Sequence, residues 1–218
     1  LIGSGFMGRT HVFGFATAAK VFDLPFRVEL ACLADASEEI AAGAAARLGF
    51  ARSTADWRAM AADPGIDLVD VTAPNALHRQ MALAAIAAGK PVYCEKPLAP
   101  SAAEAAEMAA AAAAAGVVTQ VGFNYLANPM LRLAREMIAA GEIGEVHSYR
   151  GVHAEDYMAD PAVGWSFRLD PAGGGALADI GSHALATAEF LLGPIARVMG
   201  DRATVIRERR LPDGSVQR

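Results

Sequence analysis

Two stretches of the chain set residues at spacings that could move a proton. Gly173-Gly174-Gly175-Ala176-Leu177-Ala178-Asp179-Ile180-Gly181-Ser182-His183 places a carboxylate and an imidazole four residues apart, on one face if the segment is helical. Histidine titrates near neutral pH and a carboxylate can orient it, so the pair suits general acid–base work. The same spacing also fits an aspartate that caps a helix and a histidine satisfied in the core. Lys96 lies in Glu95-Lys96-Pro97, at the end of the apolar run 91–95. Proline restricts the residue before it to an extended backbone. An ammonium held there could polarise a substrate hydroxyl or carbonyl, or it could pair with Glu95 in solvent. One aspartate and one histidine do not make a metal site, and Cys32 and Cys94 have no ligand or disulfide spacing. No metal is expected, and the two cysteines read as buried, reduced thiols of a cytoplasmic protein.

A third stretch could hold a pyrophosphate. Gly3-Ser4-Gly5-Phe6-Met7-Gly8 is a G-x-G-x-x-G between Leu1-Ile2, which can end a strand, and 9–19, a plausible helix. In that context the first glycine permits a tight turn and the second lets a pyrophosphate approach the backbone. The third lets helix and strand pack closely. The helix N-terminus, from Phe6 and Met7 onward, supplies N–H groups and the positive end of its dipole. Asp35 closes the run 28–34, 27 positions after Gly8; the usual separation is about 20, and 20–26 reads as an inserted loop. There it would accept from ribose hydroxyls and repel a 2′-phosphate, which favours NAD, with NADP as the alternative; otherwise it merely opens the next helix. Ligands of such sheets bind beyond the strand C-termini. That places Thr72, Pro74, Asn75 and His78, after the strand 68–73, and Glu95 near the cofactor. Asn75 could instead cap a helix and His78 could sit on its surface.

These groups need a scaffold, and the chain outlines one. Strands are expected at 28–34, 68–73, 91–95 and 117–122, and helices at 37–48, 56–62, 77–88 and 101–115. Ser37 and the Ser101/Glu104 capping box open two of these helices, and Gly49, Gly89 and Gly116 close three. The strands are continuous apolar runs, as in a parallel sheet covered on both faces. The expected fold class is therefore α/β, with a doubly wound Rossmann-type domain over 1–122. The pattern then changes: a helix at 130–140, a strand at 146–154, a Gly-, Pro- and aromatic-rich loop at 157–175, a helix at 179–192 and a long strand at 196–209. This suggests a second, α+β domain over 123–218 with a sheet open to solvent. The first strand reads as incomplete, because the chain opens directly on the glycine motif. The second sheet reads as unfinished at Arg218, since such a sheet needs three or more strands.

Composition narrows the function classes. The chain has 218 residues, 54% hydrophobic and 20% charged, with a net charge of −5 and 50 alanines. That is globular composition rather than disordered. A mildly acidic balance without a basic run argues against nucleic acid. No stretch approaches about 18 consecutive strongly apolar residues, so no membrane span is expected.

Taken together, these motifs resemble the glucose–fructose oxidoreductase/inositol dehydrogenase (Gfo/Idh/MocA) family. The matching segments are the glycine loop 3–8 with His11, Thr72 to His78, Ala88-Gly89-Lys90-Pro91 through Glu95-Lys96-Pro97, Val121-Gly122-Phe123-Asn124, and Gly173 to His183. The resemblance implies a Rossmann domain followed by a domain built on a large, mostly antiparallel sheet, often the interface of a dimer or tetramer. It implies reversible NAD(P)-dependent oxidation of a hydroxyl of a sugar, sugar derivative or cyclitol. By position, His183 matches the base that takes the hydroxyl proton. Lys96 matches the lysine that holds and polarises the substrate oxygen, and Asp179 the residue that orients the substrate or assists the proton relay. Asn124, Tyr157, Trp165 and Arg168 are candidate substrate contacts, because aromatics cover an apolar sugar face and arginine donates a hydrogen-bond fork. Two positions depart from the pattern. Ala186 stands where an aspartate often follows the histidine, and Tyr125-Leu126-Ala127 follows Phe123-Asn124 where an arginine is common. Both leave the substrate open. A non-catalytic dinucleotide-binding regulator and an NAD-dependent glycosidase are the alternatives.

Overall fold

The computed structural model describes residues 1–164, 166–169, 174–211 and 213–217, without the side chains of Phe167 and Gln217. Two compact units divide the chain, Leu1–Gly122 and Phe123–Arg218.

In the first unit helices and short strands alternate: α1 (Phe6–Val21), β1 (Cys32–Ala34), α2 (Glu38–Leu48), β2 (Arg52–Thr54), α3 (Trp57–Ala62), β3 (Val69–Val71), α4 (Asn75–Ala87), β4 (Val92–Cys94), α5 (Ala102–Ala115) and β5 (Thr119–Val121). Every ladder is parallel: β1 with β2, β3 with β4, and β4 with β5. Ile2 bridges in parallel to both Ala34 and Val71 and so joins the two sets. The order is therefore β2, β1, Ile2, β3, β4, β5, and it reverses beside Ile2. A doubly wound sheet opens its ligand crevice at such a reversal, and the glycine turn begins at the next residue.

The core follows from the apolar runs. Leu33, Ala34, Val69 and Val71 are wholly buried beneath helices whose packed faces are largely alanine and methionine, including Ala41, Ala82, Ala85, Met81 and Met108. Each buried Val or Leu contributes about 1.5–3 kcal/mol, while the alanines let the helices lie close to the sheet. Local signals set the helix ends. Ser37 Oγ accepts from the Ile40 N–H (3.2 Å), and Asp56 Oδ1 accepts from the Arg58 and Ala59 N–H groups (both 3.0 Å). Ser101 Oγ accepts from the Glu104 N–H (3.3 Å) and donates to the Glu104 carboxylate (2.9 Å). Such caps are worth about 1 kcal/mol each. Asn75 does not cap α4; Pro74 holds that position and Asn75 is the first helical residue. The ladders keep only three residues of each expected strand. The pair β1–β2 adds Arg52–Thr54, a polar edge strand without an apolar run to announce it.

The second unit has a 3₁₀ turn at Asn124–Ala127, then α6 (Pro129–Ala139), a short turn Phe167–Leu169, a π-helical turn Leu177–Gly181 that runs into α7 (Ser182–Leu192), and the pair β6 (Arg209–Arg210) and β7 (Val216–Gln217). Asn128 caps α6 by accepting from the Met130 N–H at 2.9 Å. Arg135 on α6 lies 4.7 Å over the Phe190 ring of α7. Arg209 is buried and donates to the carbonyl oxygens of Met158 (2.5 Å) and Val163 (3.0 Å), fastening the loop before the glycine run.

The expected fold class needs correction here. The three-stranded sheet β3–β4–β5 is parallel throughout. Among the described residues, the second unit's only ladder is the two-residue antiparallel pair β6–β7. The segments 146–154 and 196–208 carry no ladder, and they leave apolar side chains such as Val152 (91% exposed) and Met199 (100%) in solvent. Alternating polarity marks a segment fit for a sheet, but a strand exists only where a second segment takes its hydrogen bonds. Among the described residues, no helix is long and apolar enough to cross a membrane.

Candidate functional site

The glycine turn is built by steric exclusion. Gly3 has φ +97°, and a Cβ there would stand 2.9 Å from the Thr72 carbonyl oxygen. A Cβ on Gly8 would stand 2.1 Å from the Gly3 carbonyl oxygen, so the first turn of α1 rests directly on the loop. Gly5 is different: a Cβ there would meet nothing within 4 Å. Its φ is −63° and no side chain caps the helix it opens. The first N–H groups of α1 thus have no side-chain cap and follow a residue without a side chain, features that fit a dinucleotide pyrophosphate.

The flanking loops are tied to this turn. Asp35 Oδ2 accepts from the Ser4 N–H (2.8 Å) and the Ser4 hydroxyl (2.5 Å), and Oδ1 accepts from the Ala36 N–H (2.7 Å). Each carboxylate oxygen has more than one acceptor direction, so Asp35 can brace the loop and still accept from a ribose hydroxyl. Thr72 Oγ1 donates to the carbonyl oxygens of Gly3 (2.7 Å) and Ile2 (3.1 Å), fixing the loop after β3 against the turn. His78 is 0% exposed, with Nδ1 2.9 Å from the Pro97 carbonyl oxygen and Nε2 2.7 Å from that of Ala73. It therefore bears on a ligand only through the two loops it joins.

Glu95 is also buried, in a cluster with His11 and Asp70 that no sequence motif joins. His11 on α1 sits between two carboxylates. Its Nδ1 lies 3.0 Å from both Asp70 oxygens, and its Nε2 lies 3.0 Å from Glu95 Oε1. Tyr93 stacks on the imidazole at 4.9 Å. Burial works against a charge on His11, but hydrogen bonds to Asp70 and Glu95 outweigh it and push the ring's pKa up to about 9. Burial, followed by the Glu95 and Asp70 charges, pushes the Tyr93 phenol up as well. The other oxygen of Glu95 accepts from the Lys96 N–H at 3.0 Å, so Lys96, half-buried at the strand end, is anchored through its own backbone. One sign of this cluster was available in the sequence: Asp70 interrupts the apolar run Leu68-Val69-Asp70-Val71, and a buried acid needs a partner.

In the second unit the structure brings three candidates together. Tyr157 Oη donates to Asp179 Oδ2 at 2.5 Å and Arg168 Nε donates to the same oxygen at 3.1 Å. Arg168 also lies 5.8 Å from the Tyr157 ring centroid. Burial, and then the bond to Asp179, push the Tyr157 phenol up to about 12, so it remains a donor. His183 is 7% exposed and has an aromatic surround. Phe123 meets it edge-on at 5.8 Å, Tyr125 lies at 4.5 Å, and His153, which no sequence motif singled out, lies at 5.8 Å. Asp179 stands in the π-helical turn and His183 in α7, so the single α-helical face assumed for the pair is not the local geometry. Asn124 is exposed at the start of its 3₁₀ turn. Trp165 and Gly173 lie outside the described residues. Among the described residues, no group of three or more His, Cys, Asp or Glu could hold a metal ion.

Residues 1–123 match the model of an oxidoreductase family with an NAD-binding Rossmann fold, and residues 131–216 match that of the GFO/IDH/MocA C-terminal domain. The chain is 41% identical over 220 residues to levoglucosan dehydrogenase of Pseudarthrobacter phenanthrenivorans, covering 98% of this chain and 56% of that protein. An NAD binding oxidoreductase from Klebsiella pneumoniae superposes with a TM-score of 0.94 at 46% identity, covering 99% of this chain and 58% of that one. A levoglucosan dehydrogenase in complex with NADH and levoglucosan gives 0.95 at 40% identity, with 98% and 58% coverage. The chain thus spans a little over half the length of these relatives.

Proposed function

Because the chain belongs to the Gfo/Idh/MocA oxidoreductase family, we propose that it serves a reversible NAD(P)-dependent oxidation of a secondary hydroxyl on a sugar, sugar derivative or cyclitol. The observation that carries this reading is the open face of Gly5 at the uncapped N-terminus of α1. In this reading 1–122 is the dinucleotide-binding domain and 123–218 the substrate domain. Gly3, Gly5 and Gly8, with the N–H groups of Phe6 and Met7, hold the pyrophosphate. Asp35 accepts from the adenosine ribose, which favours NAD over NADP. Thr72, Pro74 and Asn75 line the loop beside them, and His78 and Glu95 hold that loop and the next in place. The bound nicotinamide supplies the acceptor for a hydride from the carbinol carbon.

The protein's part is proton handling and placement. His183 takes the hydroxyl proton; its mostly buried, aromatic surround limits water around the ring. Lys96 holds and polarises the substrate oxygen from a backbone anchored by Glu95. Asp179 orients the substrate, its carboxylate steadied by Tyr157 and Arg168, and Asn124 adds a further polar contact. The two buried cysteines fit a reducing compartment, and we place the protein in the cytoplasm as a dimer or tetramer associating through its second unit. The test is the rise of reduced-nicotinamide absorbance with NAD and with NADP on a panel of anhydrosugars, inositols, aldoses and sugar acids. Levoglucosan comes first because of the similarity to levoglucosan dehydrogenase. Turnover of at least one of them with NAD supports the reading; no turnover of any, alongside firm NADH binding, replaces it with a non-catalytic binder.

A further inference from the structure

The strand register explains how the buried charges of the first unit meet. In β3, Val69 and Val71 point to one face and Asp70 to the other. Asp70 pairs directly with Tyr93 across the β3–β4 ladder, so the two share a face, and Glu95 lies two residues further along it. His11, one turn past Gly8 on α1, comes down on that same face. Asp70 is 3% exposed and Glu95 5%. Gly122 is where this face needs room, because a Cβ there would stand 2.7 Å from Glu95 Oε1. Carboxylates only accept hydrogen bonds, and a neutral imidazole donates only one. With ionised Asp70 on one ring nitrogen and ionised Glu95 on the other, both contacts are satisfied only by a ring carrying two protons.

We propose that His11 is a positioning residue: as an imidazolium held between Asp70 and Glu95, it fixes the glycine-turn helix to the strand end that carries Lys96 and so sets dinucleotide affinity. The link runs without a gap from Gly8 through α1 to His11, from His11 to Glu95, and from Glu95 to the Lys96 N–H. Loss of the ring proton leaves two buried carboxylates facing a ring that can satisfy only one of them, and a buried charge stripped of its partner is strongly destabilising. Among the described residues, the titratable groups next to the cluster include Tyr93 on β4, stacked on the ring, the Cys94 thiol, and Lys96, whose backbone N–H donates to Glu95. Burial pushes Cys94 up to about 12, helped by the Asp70 and Glu95 charges.

The dinucleotide half of this inference rests on the function proposed above; the charge state does not. Ring-nitrogen NMR on the intact wild-type protein reads that charge state without cofactor, with His11 identified by its contacts to Tyr93. A doubly protonated His11 ring at about one unit below its raised value of about 9 supports the proposal, and a neutral ring there overturns it. NADH affinity, followed by fluorescence, should weaken about tenfold or more as pH rises through about 9. His11→Gln, which cannot titrate, should bind about tenfold more weakly at neutral pH and lack that alkaline limb. Wild-type affinity in His11→Gln, or an unchanged alkaline limb, overturns the proposal. If His11→Gln does not fold, the wild-type ring state and alkaline limb still decide. If wild-type protein binds no NADH at any pH, the cofactor reading fails, while the ring NMR still tests the clamp by itself.

Discussion

Replacing Gly5 by alanine should separate folding from binding more sharply than any other change in the glycine turn. Alanine tolerates the Gly5 φ of −63°, and its Cβ would meet no protein atom within 4 Å. Alanine is a poorer helix cap than glycine by about 0.5–1 kcal/mol, and its stiffer unfolded chain returns about 0.4–1 kcal/mol. Stability should therefore stay within about 0.5 kcal/mol of wild type. Gly8→Ala is the control. There the Cβ would stand 2.1 Å from the backbone oxygen of Gly3, so α1 must lift off the turn. Overpacking of this kind costs about 1–3 kcal/mol, against at most about 1 kcal/mol gained from helix propensity. In the proposed function, the space that Gly5 leaves open is the space the pyrophosphate takes. The same 1–3 kcal/mol of crowding, now against the ligand, corresponds to a Kd about 5- to 150-fold weaker for Gly5→Ala. Urea unfolding and NADH fluorescence titration on the same samples give both numbers. Wild-type NADH affinity in Gly5→Ala, or a stability loss in it as large as in Gly8→Ala, would refute the argument.

Three further outcomes follow from other contacts. The His11 pKa is raised from 6.5 to about 9, so the stability it contributes is complete below about pH 6.5 and is lost as pH rises through about 9. The shift corresponds to about 3 kcal/mol, and melting temperatures across that window should fall in wild type but not in His11→Gln. Gly122→Ala drives a Cβ to 2.7 Å from the pinned Glu95 carboxylate; it should cost about 1–3 kcal/mol in urea unfolding, and an unchanged midpoint would contradict the packing described. Tyr157→Phe removes a donor to Asp179 and should lower kcat/KM about 10- to 150-fold, the value of one hydrogen bond to a charged group, without altering NADH affinity. An equal loss of NADH binding would place Tyr157 elsewhere in the mechanism.

What the sequence disclosed was what is local. Ser37, Asp56 and Ser101 start their helices because a cap is satisfied within three residues, and Gly49 and Gly116 end two of them by taking a left-handed backbone. The glycine turn was legible because Gly3 and Gly8 leave no room for a Cβ, while Gly5 leaves its space open. What depends on distant partners was not. Arg52–Thr54 forms an edge strand only because β1 lies beside it. The segments 146–154 and 196–208 have the polarity of strands without the neighbours. His11, Asp70 and Glu95 stand in three different elements, and only the β3–β4 register brings them to one face. Likewise, Asp179 and His183 look like an α-helical pair by spacing, but the intervening π-helical turn gives Asp179 to Tyr157 and Arg168 and seats His183 among Phe123, Tyr125 and His153.

The central claim is that Lys96 and His183 carry the chemistry of a dinucleotide-dependent dehydrogenase while the glycine turn carries the cofactor. Steady-state reduction of NAD by wild type, Lys96→Ala and His183→Ala, with NADH affinity measured beside it, tests this most directly. The account predicts a fall in turnover of about a hundredfold or more in each variant, with NADH affinity held within about twofold, a change of less than about 0.5 kcal/mol. Wild-type turnover in either variant would contradict it.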